Sequence, residues 1–171
     1  ISVLISASGI FICEFPYLVD LLDKKLFDTI YHEHLSYFSL SPLLSLIKQH
    51  GLKLINVMRT PNDGGALRLT ITSQINAYPE ASTAINHLLL LEKKLKLDRF
   101  ETYLQFSSQV SNLKNDLQQT VGRLKRQKRS IAGYGASARG NILLSYCGFG
   151  RETLDFIVDS TPYKQGLFTP G

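Results

Sequence analysis

The stretch SIAGYGASARGNILLSYCGFGRETLDFIVD, Ser130 to Asp159, decides the fold class. Ser130 to Tyr134 reads as a short strand. A glycine turn follows, and Ala136 to Tyr146 carries a helical pattern. Leu154 to Val158 reads as a second strand, ending in Asp159. Strand, turn, helix and strand in this order make one βαβ unit, so the class is α/β. Upstream, the chain from Pro79 to Arg129 is Leu-rich, charged and broken by one glycine, as a helical region is. Phe106, Val110, Leu113, Leu117, Val121 and Leu124 step by four, three, four, four and three, an apolar stripe along one helix face. Its bland meaning is packing on a core. A coiled coil ranks second, because the stripe is short for one.

The first third alternates elements. Gly9 to Phe15 reads as a buried strand closed by Pro16, and Tyr17 to Asp23 as a helix. Phe27 to Ser39 has no clean period and is expected to be an ordered loop. Ser41 looks like an N-cap with Pro42 at the first helical position, and Gly51 like the stop of that helix near His50. Leu52 to Met58 and Leu67 to Thr72 alternate as strands, with the turn Thr60 to Gly65 between them, and are expected to pair antiparallel.

The 171 residues are 44% hydrophobic and 19% charged, a globular composition that excludes a disordered tail, a fibre or a disulfide scaffold. Cys13 and Cys147 lie far apart, which argues for a reducing compartment and, with the absence of a signal peptide, for the cytoplasm. No apolar run is long enough to span a membrane, and no membrane partner is expected. The net charge of +5 is concentrated in Arg123, Lys125, Arg126, Lys128 and Arg129. Without neighbouring aromatics or a groove-binding motif, this cluster reads as the solvated end of a helix, and no nucleic-acid partner is expected. The chain begins at Ile1 rather than Met, as a processed form or a piece of a longer protein would.

Three motifs carry chemistry. Gly133-Tyr134-Gly135-Ala136-Ser137-Ala138 fits G-x-G-x-x-G/A between strand and helix, where glycines let backbone N–H groups approach a phosphate. Asp159, roughly twenty residues on at the end of the next strand, stands where a dinucleotide fingerprint puts its acid, which points to NAD(P). The alternative is a tight turn without ligand. Tyr31-His32-Glu33-His34 pairs two imidazoles with a carboxylate. It lacks further ligands for a metal and suits proton transfer, against the alternative of a hydrogen-bonded loop. His50 and His87 have no such company. Asn62-Asp63-Gly64-Gly65-Ala66-Leu67-Arg68 reads first as a turn, with Arg68 able to bind a phosphate or carboxylate bidentately.

FDTIYHEHLSYFSL (Phe27 to Leu40), GGALR (Gly64 to Arg68), GYGASARGNILL (Gly133 to Leu144) and IVDSTPYKQGLFTPG (Ile157 to Gly171) together resemble the S-adenosylmethionine-dependent sugar C-methyltransferases, collinearly over nearly the whole chain. The resemblance implies residues 1–78 as the late part of a Rossmann-like methyltransferase lobe, 79–129 as a helical connection, and 130–171 as the truncated start of a second Rossmann-like lobe. It implies methyl transfer to a carbon next to the ketone of a nucleotide-linked keto-deoxysugar. His34 would be the base, Glu33 its orienter or partner, Tyr31 a donor to the sugar or enolate oxygen, and His32 a catalytic neighbour or a structural one. Gly133, Tyr134, Gly135, Ala136, Ser137, Arg139, Gly140, Asn141, Arg68 and Lys164 would hold the substrate or its nucleotide. S-adenosylmethionine would sit mostly on an upstream portion of the same polypeptide, so the isolated chain is expected to be inactive. Zinc, present in family relatives, is not expected in this segment. Family members often have His where Asp63 stands. The rival readings are an NAD(P)-binding protein and a non-catalytic remnant.

Overall fold

The structure, a computed structural model, describes residues 1–170. It is α/β and falls into two compact units. The first is Ile1–Leu26 with Ser36–Leu104, and the second is Phe27–Leu35 with the chain from Gln105 onward. This spatial grouping is not linear in sequence. The loop bearing Tyr31-His32-Glu33-His34 belongs with the C-terminal residues.

In the first unit, β1 (Ile10–Pro16), β2 (Leu52–Thr60) and β3 (Ala66–Ser73) form a sheet in the order β1-β3-β2, with both neighbours antiparallel to β3. The expected pairing of β2 with β3 is present. Leu67, Leu69 and Ile71 of β3 are buried on one face while Arg68 is exposed on the other, the alternation of a half-buried strand. In β2 the alternation read from the sequence breaks. A register shift lies between Leu54 and Asn56, so Val57 joins Leu52 and Leu54 in the core and Met58 turns outward. A one-residue bulge reverses the face of everything beyond it. Helices α2 (Leu40–Gln49) and α3 (Ser82–Lys94) pack on β2 and on each other, and α1 (Leu18–Asp23) follows β1.

Helix α2 starts earlier than the sequence suggests. Its N-cap is Ser39, not Ser41, and the Ser39 side chain makes no cap bond. The cap comes from α3. Glu92, 4% exposed, accepts from Leu40 N (2.5 Å) and Ser41 N (3.0 Å), and from the Tyr17 hydroxyl (2.8 Å). Pro42 then falls at the third helical position, where a missing N–H costs no intrahelical bond. Gly51, at φ 66°, ends the helix region as expected. Gly65 (φ 141°) has a local reason to be glycine: a Cβ there would lie 2.1 Å from Cγ of buried Asp20. Asp20 is held by Arg59 through two bonds of 2.8 and 2.9 Å and by Lys24 at 2.9 Å.

The region read as continuously helical divides at Leu95–Arg99, where Lys96 takes φ 54°. Helix α4 (Phe100–Arg126) then runs on, and its stripe from Phe106 to Leu124 is the shielded side, with Val110 buried. The basic cluster occupies its end, where Lys125 meets Asp155 at 3.4 Å. In the second unit, β4 (Ala132–Tyr134), α5 (Ala138–Cys147) and β5 (Phe156–Val158) form the expected βαβ unit with parallel strands. Both strands are shorter than read. The Asp155 carboxylate accepts from Ile131 N at 3.0 Å and from the Ser130 hydroxyl, and so caps the pair instead of extending it. No helix is long and apolar enough to cross a membrane, among the described residues.

Replacing Glu92 by Ala strands two buried donors, the Tyr17 hydroxyl and Leu40 N, together with the partly shielded N–H of Ser41. Each unsatisfied donor costs about 1–3 kcal/mol, so Glu92→Ala should lower unfolding stability by roughly 3 kcal/mol or more. Urea unfolding measures this, and an unchanged midpoint would contradict the capping role.

Candidate active site

The loop from Phe27 to Leu35 begins with a 3₁₀ turn, Phe27–Thr29, whose first and last residues are buried. The Phe27 ring lies 5.1 Å from the Tyr146 ring of α5. Between them in sequence, Asp28 receives two bonds from Arg139 of α5, Nε to Oδ2 at 2.9 Å and Nη2 to Oδ1 at 3.1 Å. Residues 31 to 34 then close a tight turn, with His34 N donating to Tyr31 O at 2.9 Å. The Tyr31 and His34 rings lie 4.7 Å apart at 33°, and the His32 ring is edge-on to Tyr31 at 6.0 Å. His34 and Tyr31 are half-buried, while His32 and Glu33 are exposed.

One bond sets the tautomer of His34. Its Nδ1 lies 2.8 Å from the carbonyl oxygen of Thr29. A carbonyl only accepts, so Nδ1 carries the proton and donates it. In the neutral ring Nε2 then holds the lone pair, free to accept a proton. The orienting partner is Thr29. The sequence draws attention to the neighbouring carboxylate of Glu33 instead, and nothing local marks a backbone carbonyl five residues earlier.

The glycine turn departs from the dinucleotide fingerprint. Asp159 Oδ2 accepts from Ala136 N at 2.8 Å, and Oδ1 from Thr161 N at 2.8 Å. Lys164 completes the group, donating to Ala136 O at 2.9 Å and standing 3.4 Å from Asp159. The acid read as the carboxylate of a dinucleotide fingerprint is bonded to the turn itself. Ser137 caps α5, its Oγ accepting from Gly140 N at 3.0 Å. Gly133 packs so closely that a Cβ would meet Ile157 at 3.1 Å. Gly135 (φ 90°) has nothing within 4 Å of a Cβ, so a larger residue there meets backbone strain and not crowding. Tyr134 is exposed. Asn141 lines a cleft of about 880 Å³ with Leu144, Phe149, Ile157, Asp159 and Phe168, and its buried Oδ1 has no hydrogen-bond partner.

In the first unit, Arg68 is engaged by Glu14, its direct partner in the β1–β3 register, with Nε 2.6 Å from Oε2. Asn62 and Thr60 donate to the same carboxylate, and with Arg68 they hold it below the usual range. Asp63 sits in the turn at φ 52°. Among the described residues, no three His, Cys, Asp or Glu side chains group as a metal site.

Residues 61–171 match the family described as the C-methyltransferase C-terminal domain. Across all 171 residues the chain is 34% identical to C-methyltransferase NovU of Streptomyces niveus, and it spans 40% of that protein's length. The chain belongs to the C-methyltransferase family.

Thr161, the turn N–H of Ala136 and the Lys164 ammonium hold the Asp159 carboxyl well below the usual carboxylate range. A depressed folded value stabilises the fold above the ordinary aspartate pKa of about 3.9 and loses that contribution as pH falls below it. The melting temperature of the wild type should therefore fall on acidification through that window. Asp159→Asn should melt lower at pH 7 and show a flatter acid limb. Parallel acid limbs would contradict the assignment.

Proposed function

We propose that this chain supplies the general base of an S-adenosylmethionine-dependent C-methyltransferase acting on a carbon next to the ketone of a nucleotide-linked keto-deoxysugar. The observation that carries the reading is the Thr29–His34 bond, which leaves Nε2 as the acceptor. The ketone acidifies the neighbouring C–H. His34 Nε2 takes that proton, and the C–H electron pair passes into the enolate. Tyr31, stacked beside His34, donates to the enolate oxygen as charge develops there. His34 is then an imidazolium and returns its proton to solvent. Exposed Glu33 and His32 shape the field around it.

S-adenosylmethionine, when bound, supplies the electrophilic methyl. The residues of this chain do not build its pocket: the carboxylate behind the glycine turn is spent on Ala136 and Thr161. We assign the cofactor to an upstream portion of the same polypeptide. In support of a Rossmann-like first lobe, β1 and β2 both run antiparallel to β3 and hence parallel to each other, joined through α1 and α2. β1 is an outer strand of this sheet, and its unpaired backbone edge suits further strands. The second-unit cleft, with the unpartnered oxygen of Asn141, suits the nucleotide of the substrate, with Lys164 at its margin. Both cysteines are free, in keeping with work in the cytoplasm.

Two experiments test this. Calorimetric titration of the isolated chain with S-adenosylmethionine should show weak or no binding, and micromolar affinity would place the cofactor site here after all. In the complete enzyme, His34→Asn should slow both methyl transfer and solvent-deuterium exchange next to the ketone by about 10²–10⁴-fold, with substrate affinity nearly unchanged. Wild-type exchange in that variant would move the base to Glu33 or Tyr31. His32→Asn should be milder.

A further inference from the structure

We propose that Arg139 and Asp28 are positioning residues for His34, acting through the Thr29 carbonyl, and that Arg139 is not a ligand of the nucleotide. This rests on the reading of His34 as the base. The geometry forms one continuous path within the second unit. Arg139 holds both oxygens of Asp28. The peptide that follows Asp28 leads to Thr29, whose carbonyl accepts the His34 Nδ1–H. Seven residues beyond Arg139, on the same face of α5 two turns on, Tyr146 meets the ring of Phe27. The 3₁₀ turn is thus tied to one helix at two points, which fixes its direction as well as its place.

The position of Arg139 itself argues for this role. It lies in the first turn of α5, where the helix dipole disfavours a cation. An arginine there needs a local anion, and Asp28 supplies it from 111 residues away. The pair is partly exposed, at 41% and 24%, so it adds little stability. What a bidentate fork contributes is geometry: two parallel bonds allow one orientation of the carboxylate. A base that is displaced by about 1 Å loses rate steeply, so orientation is the quantity that matters here.

The test uses the complete enzyme with D28N, R139Q, R139K and the D28N/R139Q double variant. Three readouts are taken: deuterium exchange next to the ketone at saturating substrate, thymidine diphosphate affinity, and the ¹⁵N resonances of His34. The single variants D28N and R139Q should each slow exchange by roughly tenfold. Their thymidine diphosphate affinity should stay within about twofold of wild type, and the double variant should be no slower than either, as one shared interaction requires. R139K, which keeps the charge and loses the fork, should be intermediate. The ¹⁵N spectrum should change from a single Nδ1–H tautomer to a mixture. If R139Q weakens thymidine diphosphate tenfold while D28N does not, Arg139 is a phosphate ligand and the proposal fails. Unchanged exchange and tautomer in all variants reduce the pair to a surface ion pair and also overturn it. Should His34→Asn exchange normally, the base assignment falls, while the tautomer readout still decides the clamp.

Discussion

A carboxylate removed from water must be given donors by the protein, and in the first unit Glu92 is given three. The Tyr17 hydroxyl and the amides of Leu40 and Ser41 replace its hydration shell. Those donors belong to the residue that leaves β1, the start of α2 and, through Glu92 itself, α3. None of the three can shift without exposing a buried charge. Burial, and then the bond to Glu92, push the Tyr17 hydroxyl far above its ordinary pKa, so it keeps its proton and remains a donor. Helix α2 therefore dispenses with a cap of its own.

Asp20 imposes a second constraint of the same kind. Burial raises its cost of ionisation, yet Arg59 and Lys24 more than offset that and hold its carboxyl low. The ionised side chain fills the space beneath the turn before β3. The Gly64–Gly65 pair is the consequence: Leu26 lies under one and Asp20 under the other. What reads in the sequence as a turn by composition is a backbone pressed onto a buried charge. Arg68, just beyond it, is matched in register with Glu14.

Periodic features were legible because they depend on neighbours in sequence. The βαβ unit, the β2–β3 pair, the α4 stripe and the stop at Gly51 follow from local pattern. What escaped depends on partners far along the chain. Nothing near Ser41 shows that Glu92 caps the helix at Leu40, 52 residues earlier. Nothing in LKLINVM reveals the bulge that turns Val57 inward and Met58 outward. The acid at Asp159 stands at the spacing a ribose ligand would have, yet spacing does not say which way a carboxylate turns. The YHEH cluster stood out in the sequence, but the atom that sets the tautomer of His34 is a backbone carbonyl, which every residue has.

This last point bears on how the proposed base, His34, is held on a loop. Loops are poorer platforms than helices or strands, because small backbone changes move their side chains. Here the loop takes its precision from outside itself. Its first turn is fastened to α5 by an ion-pair fork and a ring contact, and near its end His34 is bonded back to that turn. Both ends of a short segment are thereby referred to one helix, and that helix is in turn capped by Ser137 at its own first turn. The glycine turn before it has closed on Asp159, with Lys164 balancing the charge. A motif that in other settings opens a helix end to a phosphate here locks the start of the helix that carries Arg139. In the proposed reaction, what this unit contributes is the orientation of His34, and the turn adds to it by closing on the start of α5.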